Sequence, residues 1–167
     1  MTFPLSIYFL GLIQLFIISW IDLKTQKIRN WWILVNVLIY ILCLFIFPNS
    51  YSLDLATWLY PLGFVLLGFP LFLLGIMGAG DSKYLGGLFL IVPVGFQHDL
   101  FMKLLGSTIL CALILFSIRA IKHHALILWV FKTGQWHELK QLKGSRFSYA
   151  PVILLSWAWL AVDIFSK

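Results

Sequence analysis

The stretch PLSIYFLGLIQLFIISWID, residues 4–22, is an almost unbroken apolar run that ends on an aspartate, Asp22. A helix crossing the ~30 Å hydrocarbon core of a bilayer needs about 20 such residues at a rise of ~1.5 Å each. Residues 4–21 meet that length, carrying Gln14 and Ser19 but no charge. Working outward, comparable runs follow at 31–47, 55–77, 101–118 and 148–165, with a shorter one at 84–96. The sequence therefore predicts an all-α, polytopic membrane protein of about six transmembrane helices, with residues 1–167 forming one domain.

Composition points the same way. Of the 167 residues, 62% are apolar and only 11% charged, and the mean hydropathy is +0.98. Soluble domains carry roughly 25% charged residues. A water-soluble fold of this size could not hide so much apolar surface. Disorder, collagen and coiled coil are excluded by the modest Gly and Pro content and the sparse charge. Two cysteines, Cys43 and Cys111, are too few for a disulfide scaffold or a cysteine-rich zinc fold, and both fall within apolar runs where thiols serve as packing.

Charge sets the expected orientation. If the connections alternate sides, Lys24, Lys27, Arg29, Lys83, Arg119, Lys122, Lys132, Lys140, Lys143 and Arg146 share one side, against Lys103 and Lys167 on the other. The positive-inside rule then makes the richer side cytoplasmic and places both termini outside. No Lys or Arg precedes Lys24, which argues against a cleavable signal peptide. The net charge of +6 reads as topology and attraction to anionic lipid headgroups rather than nucleic-acid binding, because the basic residues flank spans. In the connection 119–147, the run 125–131 is too short to cross and reads as a helix lying in the interface.

Of the six acidic residues, four have an ordinary reading. Asp54 and Asp99 fall in outer loops, Asp163 near the outer end of the last helix, and Glu138 in the basic connection. Asp22 and Asp81 differ, since both stand at the cytoplasmic ends of apolar helices. At 100° per residue, Gly11, Gln14, Ser19 and Asp22 fall within an arc of about 140°. Such a face turns toward protein, because hydrocarbon offers polar groups no partners. The simpler reading is an interfacial carboxylate balanced by Lys24 and Lys27. Asp81 lies in Gly78-Ala79-Gly80-Asp81-Ser82-Lys83, where Gly78 and Gly80 free the backbone and predict an irregular turn. Its simpler reading is that Asp81 or Ser82 caps the next helix.

Together the two aspartates suggest more than either alone. Two carboxyl groups in close contact cannot both ionise, so one holds a proton while the other serves as base toward a water. That is aspartic protease chemistry. Other constellations fail. His137-Glu138 lacks the second histidine of HExxH, since Gln141 holds its place. Ser82 and Lys83 are adjacent and face apart on a helix, and His98 lies on the opposite side by the charge topology. His123-His124 among lysines reads as a headgroup-facing surface rather than a metal site. No metal and no cofactor is expected.

At these residues the chain resembles the type IV prepilin peptidase family, the GxGD aspartic proteases of membranes. The matching positions are Asp22, followed by basic residues and Asn30 before a new apolar helix, and Gly78 to Lys83, which fits GxGD-x-K. Phe147-Ser148-Tyr149-Ala150-Pro151 is similar to the Ala-Pro segment that opens the last helix in many members. The resemblance implies that Asp22 and Asp81 are catalytic, with Gly78, Gly80 and Lys83 supporting the motif and Lys83 either snorkelling or tuning the pair. It implies a prepilin-like or preflagellin-like substrate with a short basic leader ahead of an apolar helix, cut at the cytoplasmic face of the cell membrane. Two departures stand out. Ile28-Arg29-Asn30 replaces the usual Ile-Pro-Asn, and no pair of Cys-x-x-Cys motifs is present. The second departure implies the small, peptidase-only branch without N-methyltransferase activity. The presenilin-like GxGD group fits less well, because it usually has a Tyr-Asp motif, whereas Trp20-Ile21 precede Asp22 here. Two competing classes are a small proton- or cation-coupled transporter using the same acids and a non-catalytic assembly component of a pilus or secretion machine. The sequence leaves the oligomeric state and the individual substrate open.

Overall fold

A computed structural model describes residues 3–73, 78–122 and 148–166. Six α-helices and no strand occur among the described residues: α1 Leu5–Thr25, α2 Trp31–Ile46, α3 Leu55–Leu73, α4 Ala79–Leu90, α5 Val94–Lys122 and α6 Ala150–Ser166. Helices α1 and α5 are long and apolar enough to cross a membrane, and α2, α3 and α6 are shorter apolar helices. The exterior is the apolar part: Leu55 is 91% exposed and Phe45 80%, while Gln14, Asn36, Gln97, Ser107 and Ser156 are buried. Only lipid accepts such a surface without a large hydrophobic penalty, and it rewards polar groups for turning inward.

The expected face of α1 is the buried one, with Gly11, Gln14, Ser19 and Asp22 all inside. Gly11 gives passage to Trp157 of α6: a Cβ there would stand 2.4 Å from Trp157 Cζ2. The indole N–H in turn donates to the Tyr8 carbonyl at 3.1 Å. Across α1 and α2, Gln14 Nε2 donates to Asn36 Oδ1 at 2.7 Å. Toward their far ends α5 and α6 are joined by an ion pair between Lys103 and Asp163, so Asp163 is a packed partner rather than a solvated charge.

Helix α4 is the centre of the α2–α4–α3 cluster. Tyr84 to Leu90 are all buried, and α3 comes so close that a Cβ on Gly68 would overlap Ser82 Cβ at 2.1 Å. The fourth span is shorter than the sequence suggests. It ends at Leu90, the chain breaks over Ile91 to Pro93, and α5 has begun by Phe96. Pro93 lacks the N–H that a continuous helix would need, which fits the break. At ~1.5 Å per residue the 12 residues of α4 span about 18 Å. Its C-terminal end therefore finishes inside the bundle, where side chains meet the carbonyls there: Gln97 Nε2 faces the carbonyl of Phe89 at 3.0 Å, that of Val92 in the break at 3.3 Å, and that of Thr57 on α3 at 3.2 Å. The Tyr51 hydroxyl donates to the Ile91 carbonyl at 2.8 Å.

Further boundaries move. Helix α5 includes Asp99, which the sequence places in a loop, and runs on to Lys122. The first residues of the expected connection 119–147 are thus helical. The interfacial run 125–131, Glu138 and the histidines at 123, 124 and 137 lie outside the described residues, as do residues 74–77 of the third expected span.

Candidate active site

Asp22 sits in the last turn of α1 and is 3% exposed. The helix closes just past it. Gln26 adopts the left-handed conformation (φ 51°), and its N–H bonds back to the Asp22 carbonyl at 2.8 Å. The Thr25 hydroxyl lies within hydrogen-bond distance of the Ile21 carbonyl at 3.0 Å and the Lys27 carbonyl at 3.3 Å. This tight exit turns the chain at once across the beginning of α4.

The Asp22 side chain is held by α6, not by nearby lysines. Its Oδ2 accepts the Ser148 hydroxyl and the Ala150 backbone N–H at 3.2 Å. Among the described residues no Lys or Arg forms an ion pair with it, and the Lys24 ammonium instead stands 4.6 Å over the Trp20 ring. The interfacial reading with Lys24 and Lys27 as counter-charges is therefore corrected: a buried carboxylate is satisfied by a hydroxyl and a helix N-terminus.

Asp81 falls in the first turn of α4, so the expected irregular turn is instead helical. Gly78 is the extended N-cap (φ −71°, ψ 141°), and having no side chain it is served by Asp81, whose Oδ2 accepts the Gly78 N–H at 3.3 Å. The capping reading thus holds for Asp81 without excluding another role. Gly80 has a separate purpose. A Cβ there would meet the Ile28 carbonyl oxygen at 3.1 Å and Ile28 Cβ at 3.7 Å, so the absence of a side chain lets the loop after Asp22 lie against the turn that holds Asp81.

This contact brings the two acids into each other's field. Asp81 stands ahead of the apolar run that begins at Tyr84. Burial first, and then the charge of Asp22, push its carboxyl up to about 6, opposed by the Gly78 N–H. Tyr149, next to Ser148, also lies in the field of Asp81, and its hydroxyl pairs with that of Thr108 on α5 at 2.8 Å. One end of the bundle thus gathers Asp22 from α1, Asp81 from α4 and the start of α6.

The remaining candidates separate from this site. Lys83 is exposed and forms no ion pair with either aspartate among the described residues. It lines a cleft of about 310 Å³ with Val65, Gly68, Phe69, Ala79 and Ser82, where an apolar stem and a charged tip suit a snorkelling position. The Ser82 hydroxyl lies 3.4 Å from its own helix at the Ala79 carbonyl. His98 pairs with Tyr60 at 2.9 Å, near the opposite end of α4. No cluster of metal-ligating side chains occurs among the described residues. Sequence reasoning missed the contact of Ser148 and Ala150 with Asp22. The signal available was a serine just ahead of Ala150-Pro151, since proline favours the first turn of a helix and serine its entrance.

A model of the type IV leader peptidase family matches residues 9–118, about two thirds of the chain. No curated relative and no solved structure matches it.

Proposed function

Because the chain belongs to the type IV leader peptidase family, we propose that it is a membrane aspartic endopeptidase that removes the short basic leader of prepilin-like or preflagellin-like proteins. Asp22 and Asp81 carry the chemistry. The observation that supports this most is their electrostatic coupling, on separate helices, at one end of the bundle. One carboxyl stays ionised and takes a proton from the attacking water, while the protonated partner hydrogen-bonds the scissile carbonyl oxygen. Collapse of the tetrahedral adduct breaks the C–N bond as a proton passes to the leaving amine. The step consumes one water.

The basic residues around Lys24 to Arg29 and at Lys83 support a cytoplasmic position for this end. A multi-pass arrangement in the cell membrane then follows, with both termini outside. Acids gathered at one end favour hydrolysis over a relay, which needs groups spaced through the membrane. Gly78 and Gly80 shape the turn, and Lys83 anchors it at the headgroups. We assign no methyltransferase step to this chain.

The test is co-expression with candidate prepilins from the same genome. Wild type and Asp54→Ala should remove the leader, whereas Asp22→Ala and Asp81→Ala should leave full-length prepilin on the gel. Wild-type processing by Asp22→Ala would overturn the assignment.

A further inference from the structure

We propose that the face of α4 between α2 and α3 binds one anionic phospholipid, with the phosphate on Lys83 and an acyl chain in the trough beneath it. This face lies about 160° around α4 from Asp81, at about 100° per residue. The site therefore stands independently of the peptidase reading.

The trough follows from how two helices sit on a third. Gly86 and Gly87 are neighbours on α4, so their missing side chains point about 100° apart. A Cβ on Gly86 would meet the Pro61 carbonyl oxygen and Val65 Cγ2 of α3, both at 3.0 Å, and one on Gly87 would meet Ile33 Cγ2 of α2 at 3.3 Å. Lys83 and Leu90 fall inside that angle, between the directions in which α2 and α3 pack. At the usual 8–10 Å from helix axis to helix axis, α2 and α3 then stand about 12–15 Å from one another. Each is ~10–12 Å thick with its side chains. The slit left between them admits a hydrocarbon chain and is too narrow for a third helix.

The clefts of the structure trace this slit, and three of them meet at Lys83. Besides the one against α3, described above, a cleft of about 460 Å³ runs along α2 from Asn30 to Leu38. Another, of about 220 Å³, lies between Val37 of α2 and Leu62 and Val65 of α3, over Gly86, Gly87 and Leu90. From Lys83 to Leu90 the face descends about 10 Å at ~1.5 Å per residue. That is roughly two thirds of the ~15 Å that one leaflet contributes to the hydrocarbon core.

Charge names the occupant. Lys83 is exposed, and among the described residues no carboxylate pairs with it. Asn30 lines the α2 cleft beside it and makes no side-chain cap bond to α2, so its amide is a second polar group at the mouth. A compact ammonium suits a phosphate as a point charge, and basic pockets between spanning helices suit anionic headgroups. Inorganic phosphate would use Lys83 and leave the trough empty. A zwitterionic lipid would fill the trough but carries its own cation beside the phosphate. An anionic phospholipid satisfies both features at once.

The test is native mass spectrometry of the full chain, delipidated in detergent and titrated with dioleoyl phosphatidylglycerol, dioleoyl phosphatidylcholine or inorganic phosphate, with melting followed on the same samples. Wild type should take up one phosphatidylglycerol in a saturable step at least about tenfold tighter than phosphatidylcholine, and its melting temperature should rise. Lys83→Gln should lose that preference and Lys83→Arg should keep it. Lys24→Gln, which removes a charge seated over Trp20, should bind as wild type does. Val37→Trp fills the trough from α2 and should abolish the step although Lys83 is intact. Leu62→Trp fills it from α3 and serves if Val37→Trp does not fold. Equal uptake of the two lipids by wild type, or wild-type affinity in Lys83→Gln, would mean ordinary surrounding lipid and overturn the proposal. So would tight binding of inorganic phosphate that Val37→Trp leaves unchanged. A two-chain mass that Val37→Trp returns to one chain would assign the trough to a second copy and also overturn it.

Discussion

Gly80→Ala isolates the contact that joins the two halves of the proposed site. The added methyl would stand 3.1 Å from the Ile28 carbonyl oxygen, so the loop after Asp22 must retreat by about 0.3 Å to reach ordinary contact. Misplacing a catalytic group by about 1 Å costs roughly 100-fold in rate. Scaled in logarithm, about 0.3 Å costs about fourfold. Stability should barely change, because Ala gains ~0.5–1 kcal/mol over Gly inside a helix, against a clash of similar size. The melting temperature in detergent should stay within about 4 °C of wild type. Gly80→Val places more bulk against the same carbonyl and should lose at least about 100-fold in kcat/KM while still folding. The assay is initial-rate cleavage of a purified prepilin, with melting followed on the same samples. Wild-type cleavage by folded Gly80→Val would refute the reasoning, because the loop would then not be seated on α4.

Other consequences can be checked separately. Burial and the Asp22 charge hold the Asp81 carboxyl at about 6, so the protonated acid is present below that pH and lost above it. In the proposed reaction kcat/KM should fall about tenfold per unit beyond pH 6, and a profile flat to pH 8 would contradict it. Gly11→Ala drives a methyl to 2.4 Å from Trp157 Cζ2 in a packed interior and should cost about 1–3 kcal/mol, read as a drop of several degrees in melting. Gln97→Leu strips the donor shared by the carbonyls of Phe89, Val92 and Thr57. It should destabilise by about 2–4 kcal/mol, and a melt equal to wild type would show those carbonyls to be satisfied otherwise.

Much of this arrangement is written locally. The polar positions of α1 recur at helical spacing, and only protein can receive them inside an apolar run, so Gly11, Gln14, Ser19 and Asp22 are legible before any packing is known. At Gly78 to Lys83 the glycines point to an irregular turn, and only the simpler capping reading anticipates that Asp81 opens a helix. The missed features are non-local or conditional. Leu90 and Phe96 look alike by hydropathy, yet Pro93 and the waiting amide of Gln97 stop one helix between them. Asp99 reads as a loop residue until α5 is seen to begin at Val94. Asp163 reads as solvated because its partner, Lys103, is 60 positions away. Asp22 is given lysine counter-charges by the simpler sequence reading because its actual partners arrive with α6, which packs through Trp157 against Gly11.

The brevity of α4 has a consequence for where the chemistry would stand. A helix that reaches from one headgroup layer to the other has its depth set by the lipid, and tilts or shifts as thickness changes. Helix α4 ends within the bundle, buried from Tyr84 to Leu90 and fastened at its inner end by Gln97 and Tyr51. Asp81 therefore takes its height from the protein's own frame. Mismatch with a thicker or thinner membrane would fall on the lipid-facing helices, above all α1 and α5, and leave the acid's height within the bundle unchanged.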